Sequence, residues 1–254
     1  KEIVLGGQNV NSYHGEAPYI TIGSNRRTWR IEELIKAIAS IDGIKRLRYL
    51  TSHPKDFTID LMKVHNEVPS LVPFVHIPVQ SGSDRILKLM NRNHTAKEYL
   101  DKLKMFRDIC PDIQFSSDFI VGFPSETEED FNDTMEVVEK LKYDLAYTFI
   151  FSPREGTPAA KMEDHTSMDE KKERLAKLNE LINKYALESN KKMDGKVYDV
   201  LIIGKSDKDD KYMGYTDNMK LVNVDCDHGY VGKIVPVKIT GVKTWSLDGE
   251  INDK

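Results

Sequence analysis

The sequence predicts a parallel α/β domain followed by a small all-β barrel. Three observations predict it. Short apolar runs alternate with segments of helical period five times between Ile3 and Tyr185. Each apolar run ends in small, polar, turn-forming residues. After Asn190 the helical period stops, and short β-rich runs separated by Gly and Asp turns take over. Strands joined by helices with right-handed crossovers make either a doubly wound sheet or a barrel, and periodicity does not choose between them.

Taken in order, Ile3–Leu5 is the first expected strand. Thr28 is expected to cap a helix with Ile31, Leu34, Ile35, Ile38 and Ile41 on one face. Leu47–Thr51 is the second strand and Phe57–Glu67 the second helix. Phe74–Val79 is the third strand, with helical pieces after it at Asp84–Met90 and Ala96–Cys110. Thr95 and Glu98 have the spacing of a capping box, in which each side chain satisfies a free backbone donor. Phe115–Val121 is the fourth strand, and the next helix turns Phe131, Met135, Val138 and Leu141 to one side. Leu145–Phe151 is the fifth strand. Ser167 and Glu170 open a long charged helix with Leu175, Leu178, Ile182 and Tyr185 inward. The tail offers Val197–Ile203, Leu221–Val224 and Ile234–Thr240 as strands of a small antiparallel barrel. The expected domains are residues 1–192 and 193–254.

Composition narrows the class. A 39% hydrophobic share supports a sizeable core, and no apolar run approaches the length of a membrane span. No membrane association and a cytoplasmic location are expected. The net charge of -4 does not announce a nucleic-acid binder. Two cysteines, Cys110 and Cys226, exclude a disulfide framework and any all-cysteine metal site within the chain. Lys1 runs straight into the apolar stretch Glu2–Gly6, which reads as a chain that starts inside a longer protein.

In parallel α/β architectures ligands bind at the carboxyl ends of strands. Those ends carry Gly6–Tyr13, Ser52–Pro54, Gln80–Ser83, Gly122–Thr127 and Ser152–Thr157. Gly allows close backbone approach, and Ser, Asn and Gln supply uncharged hydrogen bonds, which suits an extended polar ligand such as a nucleoside. Each loop alone is equally a plain turn. Asp118 lies inside an apolar strand, where a carboxylate is costly unless paired; it is a functional acid or a paired structural one. Arg154 offers a fork for a carboxylate or a surface ion pair. His53 and His76 read as bonded or half-buried structural residues, His14, His94 and His165 fall in loops and His65 on a helix. No histidine has a partner at metal-ligand spacing. Glu126–Asp130 reads as an acidic first turn that complements a helix dipole. No Ser-His-Asp signature, phosphate loop, H-E-x-x-H helix or dinucleotide fingerprint occurs.

Taken together, GQNVNSY at 7–13, TSHP at 51–54, HIPVQSGSDRILKLMNR at 76–92, SDFIVGFPSETEEDF at 117–131 and AYTFIFSPREGTPAA at 146–160 resemble the radical S-adenosylmethionine methylthiotransferases. GQNVNSY is similar to the branch that modifies transfer RNA. LVNV at 221–224 and VKITGVKTWSLDGE at 237–250 resemble the OB-like RNA-binding barrel called TRAM. The resemblance implies a partial (β/α) barrel of six units, S-adenosylmethionine across the strand ends, and two 4Fe-4S clusters in the full-length parent. One cluster, on a C-x-x-x-C-x-x-C loop, would cleave S-adenosylmethionine; the radical formed would take hydrogen from C2 of an adenine in tRNA. The second would deliver sulfur. An electron donor such as flavodoxin or ferredoxin is implied as a partner.

Carried onto this chain, Gly7, Gln8 and Asn9 would lie near the methionine part of the cofactor, Gln80 and Ser81 near its ribose or carboxylate. Asp118, Val121 and Gly122 match the adenine-contacting strand, and Phe151 and Arg154 the last strand end. On the RNA side the candidates are Tyr215, Thr216, Asn218 and Lys220. Two departures stand out. The cluster loop, the first barrel strand and the sulfur-donor domain are not in these residues, and neither cysteine falls at a family ligand position, so no metal ligand is assigned and the chain alone is expected to be inactive. The tail carries Tyr215 where an arginine is common, and nine lysines against ten acids from residue 195 onward, which weakens phosphate neutralisation. Three other readings remain: a methylthiotransferase acting on a ribosomal-protein aspartate, a non-catalytic RNA-binding remnant, and a Schiff-base lyase, the last disfavoured because no lysine lies in an expected barrel strand.

Overall fold

A computed structural model of the chain describes residues 2–17, 28–207 and 210–252. The chain divides into two compact units, one ending at Leu181 and the other beginning at Ile182. The division falls inside the long helix, ahead of the loss of helical period that suggests residue 192.

The first unit contains β1 (Glu2–Leu5), β2 (His14–Glu16), β3 (Thr28–Arg30), α1 (Ile31–Ala39), β4 (Arg46–Tyr49), α2 (Ile59–Glu67), β5 (Phe74–His76), α3 (Asp84–Leu89), α4 (Ala96–Ile109), β6 (Gln114–Val121), α5 (Glu128–Leu141), β7 (Leu145–Ile150) and the first half of α6 (Met168–Lys191). β1 pairs parallel with β4, and β5, β6 and β7 form a parallel sheet in that order. Parallel bridges Leu47–Leu71 and Thr51–His76 join the two sheets. Five strands therefore run the same way, and their carboxyl ends share one rim. This is the parallel α/β architecture expected from the sequence.

The elements form for local reasons. Thr95 Oγ1 accepts from Glu98 N at 3.1 Å while Glu98 Oε2 accepts from Thr95 N at 2.8 Å. Ser167 and Glu170 close the same reciprocal pair at the start of α6. The helix-facing side of β6, Phe115, Ser117, Phe119 and Val121, is fully buried. Against it pack Phe106 of α4 and the Tyr143 ring, 5.4 Å from Phe119.

Several expectations are corrected. Thr28 does not cap α1: residues 28–30 pair with His14–Glu16 as a hairpin, and Arg30 is the cap, its N–H donating to Glu33 Oε2 at 2.7 Å. Ile41 lies beyond the helix and is exposed, and His14 is in a strand rather than a loop. Glu126 and Asp130 do more than complement a dipole. Glu126 is buried against Arg174 at 2.8 Å. Asp130 accepts from Ser83, Arg85 and Thr127; burial would raise its carboxyl, and these bonds hold it well below the usual range.

The second unit is a closed barrel of β8 (Val197–Lys205), β9 (Tyr212–Thr216), β10 (Leu221–Asp225), β11 (Ile234–Val242) and β12 (Leu247–Ile251), in the order β10-β12-β11-β8-β9. Val200, Ile202, Val222, Val224, Val237, Ile239 and Leu247 fill it. β9 and β12 are additions to the strands expected from the sequence. The barrel is also not wholly antiparallel, because β10 and β12 close it in parallel. Gly214 permits the close approach of β9 to β8, since a Cβ there would lie 2.4 Å from the Leu201 carbonyl oxygen.

Candidate functional site

The chain continues past β5 as an extended segment that clings to β6. Ile77 N donates to Ser116 O, Gln80 N to Asp118 O, and Ile120 N to Gln80 O, each at 2.9 Å. Gln80 takes a φ of +76°, a left-handed conformation that costs a non-glycine residue energy and needs surrounding structure to hold it. That structure lies behind the strand. Ser117 Oγ donates to Ile77 O and accepts from Val79 N, both at 3.0 Å. Tyr99 donates its hydroxyl to the same Ile77 carbonyl at 2.9 Å, and Tyr143 donates to Tyr99 at 3.0 Å.

Gln80 opens one side of a cleft of ≈ 1020 Å³ at the carboxyl ends of β5, β6 and β7. Its polar side includes Gln80, Arg92, Asp118 and Arg154; its apolar side includes Leu89, Met90, Ile120 and Phe149. Asp118 is half-buried with His76 Nε2 at 3.5 Å, and His76 Nδ1 meets Ser116 Oγ at 2.8 Å. Burial pulls the Arg92 guanidinium below its usual value, and the charge of Asp118 opposes the shift. The rings of Phe123 and Phe151 meet edge to face 4.9 Å apart at the far wall. The cleft thus pairs a carboxylate, two guanidinium groups and an amide with aromatic walls, a donor set for a charged nucleoside.

Gln80, Asp118, Phe151 and Arg154 of the expected residues line this cleft. Ser81, Val121 and Gly122 do not. Ser81 is fully buried and 3.3 Å from Thr134 Oγ1, and Gly122, at φ +67°, lies under Lys171, whose Cγ would be 2.4 Å from any added Cβ. Gly7, Gln8 and Asn9 come after β1 on the same rim but outside the cleft lining. Their loop is tied to the one after β4: Asn9 Nδ2 donates to Asp56 Oδ2 at 2.6 Å, and Asn11 and His53 exchange two bonds at 2.9 and 3.0 Å. The Asn9 Oδ1 and Ser52 Oγ atoms are buried without partners there. Sequence reasoning misses Arg92, Leu89 and Phe149. Arg92 lies just beyond a helix rather than a strand, so a search of strand ends passes over it.

In the barrel unit, Thr216 and Lys220 are buried and lock the β9–β10 turn. Thr216 N donates to Lys220 O at 3.1 Å and Lys220 N to Thr216 Oγ1 at 3.0 Å. Thr216 Oγ1 also donates to Asn218. Tyr215 is half-buried on β9, in register with Leu221.

Among the described residues no group of three or more His, Cys, Asp or Glu is arranged to hold a metal. Cys110 is buried at the end of α4, the amino-end side of β6, and Cys226 belongs to the other unit. These residues do not fit an iron–sulfur cluster. Among the described residues no helix is long and apolar enough to cross a membrane.

Fold and cleft together define a parallel α/β unit with a mixed polar and aromatic cleft at its strand ends, followed in sequence by a closed five-stranded barrel. Residues 1–138 match the Radical SAM superfamily, and residues 191–251 match the TRAM domain. The chain belongs to the Radical SAM superfamily, whose members use S-adenosylmethionine and iron–sulfur chemistry. It is 47% identical over 252 residues to a protein of Actinobacillus pleuropneumoniae serotype 5b (strain L20) named tRNA-2-methylthio-N(6)-dimethylallyladenosine synthase, covering 99% of this chain and 52% of that one. Proteins of the same name from Haemophilus influenzae (strain PittEE) and Baumannia cicadellinicola subsp. Homalodisca coagulata are also 47% identical over 99% of this chain, of which it covers 52% and 54%. The chain spans about half the length of the curated relatives it matches. Among solved structures, the cobalamin-dependent S-adenosylmethionine radical enzyme OxsB aligns over 72% of this chain and 23% of its own at 15% identity and a TM-score of 0.41, a likeness too slight to carry an argument.

Proposed function

We propose that this chain is the catalytic barrel and RNA-binding barrel of a transferase that adds a methylthio group to C2 of N6-isopentenyl (dimethylallyl) adenosine, next to the anticodon in tRNA. The observation that carries the reading is 47% identity along 99% of the chain to proteins named for that reaction. In this reading the protein is cytoplasmic, and an electron donor such as flavodoxin or ferredoxin is its redox partner.

The mixed cleft supports S-adenosylmethionine as the cofactor of this unit. Bound there, S-adenosylmethionine supplies the hydrogen-abstracting and methyl-donating chemistry of the superfamily. Asp118 and Gln80 would hydrogen-bond its polar groups, Arg154 and Arg92 would bring positive charge to its carboxylate, and Phe151 would offer an aromatic face to its adenine. The strained Gln80 backbone, backed by Ser117 and Tyr99, keeps that edge of the cleft in place before binding, which lowers the ordering cost. Because Cys110 and Cys226 do not suit a cluster, the reading leaves the two 4Fe-4S clusters to chain beyond these residues. The TRAM-like barrel supports tRNA as the second ligand, with Tyr215 as a stacking group and Thr216, Asn218 and Lys220 shaping the adjoining turn.

The test is nucleoside mass spectrometry of tRNA from the host before and after deletion of the gene. The expected result is loss of 2-methylthio-N6-isopentenyladenosine with accumulation of N6-isopentenyladenosine. An unchanged profile overturns the reading.

A further inference from the structure

Parallel sheets are ordinarily covered on both faces. In β6 the face of Phe115, Ser117, Phe119 and Val121 is fully buried, while on the opposite face Asp118 and Ile120 are only partly covered. On that face β7 shows Tyr147 and Phe149 at 49% and 51% exposure. They alternate with Ala146, Thr148 and Ile150, which are buried or partly so, as strand geometry requires. Across the pairing, Tyr147 is in register with Asp118 and Phe149 with Ile120. This face therefore carries two rows. The deeper row is polar, built from His76, Asp118 and the Tyr147 ring, whose centroid lies 6.1 Å from the His76 ring. The row nearer the rim is apolar, Ile120 with Phe149, and it meets Leu89 and Met90 inside the cleft. Leu89 is itself 41% exposed. Large exposed apolar side chains gathered beside a polar pair mark a binding surface rather than scattered exposure.

Resting on the function proposed above, the geometry points to Phe149 and Ile120, with Leu89 and Met90, as the slot that reads the dimethylallyl group of the target adenosine. A branched five-carbon chain has no hydrogen-bonding atoms, so only an apolar wall selects it over a bare amino group. In the neighbouring polar row the exposed Tyr147 offers the purine attached to that chain a hydrogen-bonding partner. Phe149 is thus a specificity residue, separate from Gln80, Asp118, Phe151 and Arg154, which take the cofactor.

The experiment measures binding of N6-dimethylallyladenosine and of adenosine to the purified 254-residue chain by isothermal titration, with S-adenosylmethionine titrated separately. The expected preference for the prenylated nucleoside is on the order of thirtyfold, from burial of the alkenyl carbons. Phe149→Ala is expected to reduce it to about threefold or less. Because Phe149 is half exposed, its truncation leaves the fold intact, which a circular dichroism melt checks. Tyr147→Ala serves as the second variant: it weakens both nucleosides together and preserves their ratio. Equal affinity of the two nucleosides, or an undiminished preference in Phe149→Ala, overturns the inference and leaves this face to another occupant. Loss of S-adenosylmethionine binding with the prenyl preference intact counts against the cofactor reading alone.

Discussion

His76 Nε2 lies 3.5 Å from Asp118 Oδ2 on the adjacent strand, while His76 Nδ1 meets Ser116 Oγ at 2.8 Å. The imidazole is held from both sides, and the charge of Asp118 acts on the partly buried guanidinium of Arg92, which lines the same cleft. Asp118→Asn keeps the shape and removes the charge that offsets Arg92. S-adenosylmethionine affinity, measured by equilibrium dialysis, is expected to fall on the order of tenfold or more. An unchanged affinity would remove Asp118 from the cofactor site.

The Tyr49 hydroxyl and His65 Nε2 share a hydrogen bond of 2.6 Å, and both side chains are enclosed. Burial pushes the imidazole down to about 3, so His65 is neutral in the folded protein. The unfolded chain binds a proton there below about pH 6.5. This contribution to stability is complete above pH 6.5 and is lost as pH falls toward 3, at up to about 1.4 kcal/mol per pH unit. Urea unfolding at several pH values should show that slope in the wild type and a shallower one in His65→Leu. Identical slopes would mean His65 titrates normally when folded.

Gly82 packs where α3 begins against α5. An added Cβ would sit 2.3 Å from the Asp133 carbonyl oxygen, and the Gly82 N–H already donates to Thr134 Oγ1 at 2.9 Å. Backbone cannot yield as a flexible side chain does. Gly82→Ala is expected to cost about 3 kcal/mol in chemical denaturation. A cost below about 1 kcal/mol would show that this junction has room to relax.

Arg174 Nη1 reaches Glu126 Oε1 at 2.8 Å, and the same oxygen accepts from Gly122 N at 2.9 Å. Burial raises the Glu126 carboxyl despite these bonds. Arg174→Met strands that carboxylate and is expected to cost about 3–5 kcal/mol. Arg174→Met combined with Glu126→Met should recover part of the loss, because no unpaired charge remains. Full additivity of the two single costs would argue against a coupled pair.

Legibility in the sequence depends on how far each signal reaches. The Thr95–Glu98 and Ser167–Glu170 boxes span three residues, and both are readable from sequence alone. The Arg30 cap is hidden because residues 28–30 pair with a strand twelve or more residues upstream. β9 and β12 are hidden because each is five residues long with a glycine inside, which weakens the strand pattern, and their reason for existing is closure of the barrel. Of the residues that the resemblance offers for the cofactor, Gln80, Asp118, Phe151 and Arg154 line the strand-end cleft, and Ser81, Val121 and Gly122 lie outside its lining. A reading of strand ends passes over Arg92 and Phe149, one reaching in from a helix end and the other revealed only by the strand's alternation of faces.

The capping boxes also bear on the order in which the protein is assembled. At Thr95–Glu98, Thr127–Asp130 and Ser167–Glu170 each helix carries its own start signal within a single turn. No distant partner is needed to satisfy it. A helical turn forms in well under a millisecond, whereas synthesis adds a residue only every fifty milliseconds or slower, to order of magnitude. α4 and α5 therefore have time to take shape while the strands they will connect are still being made. The parallel pairings, which span dozens of residues, are left to close last around crossovers already wound.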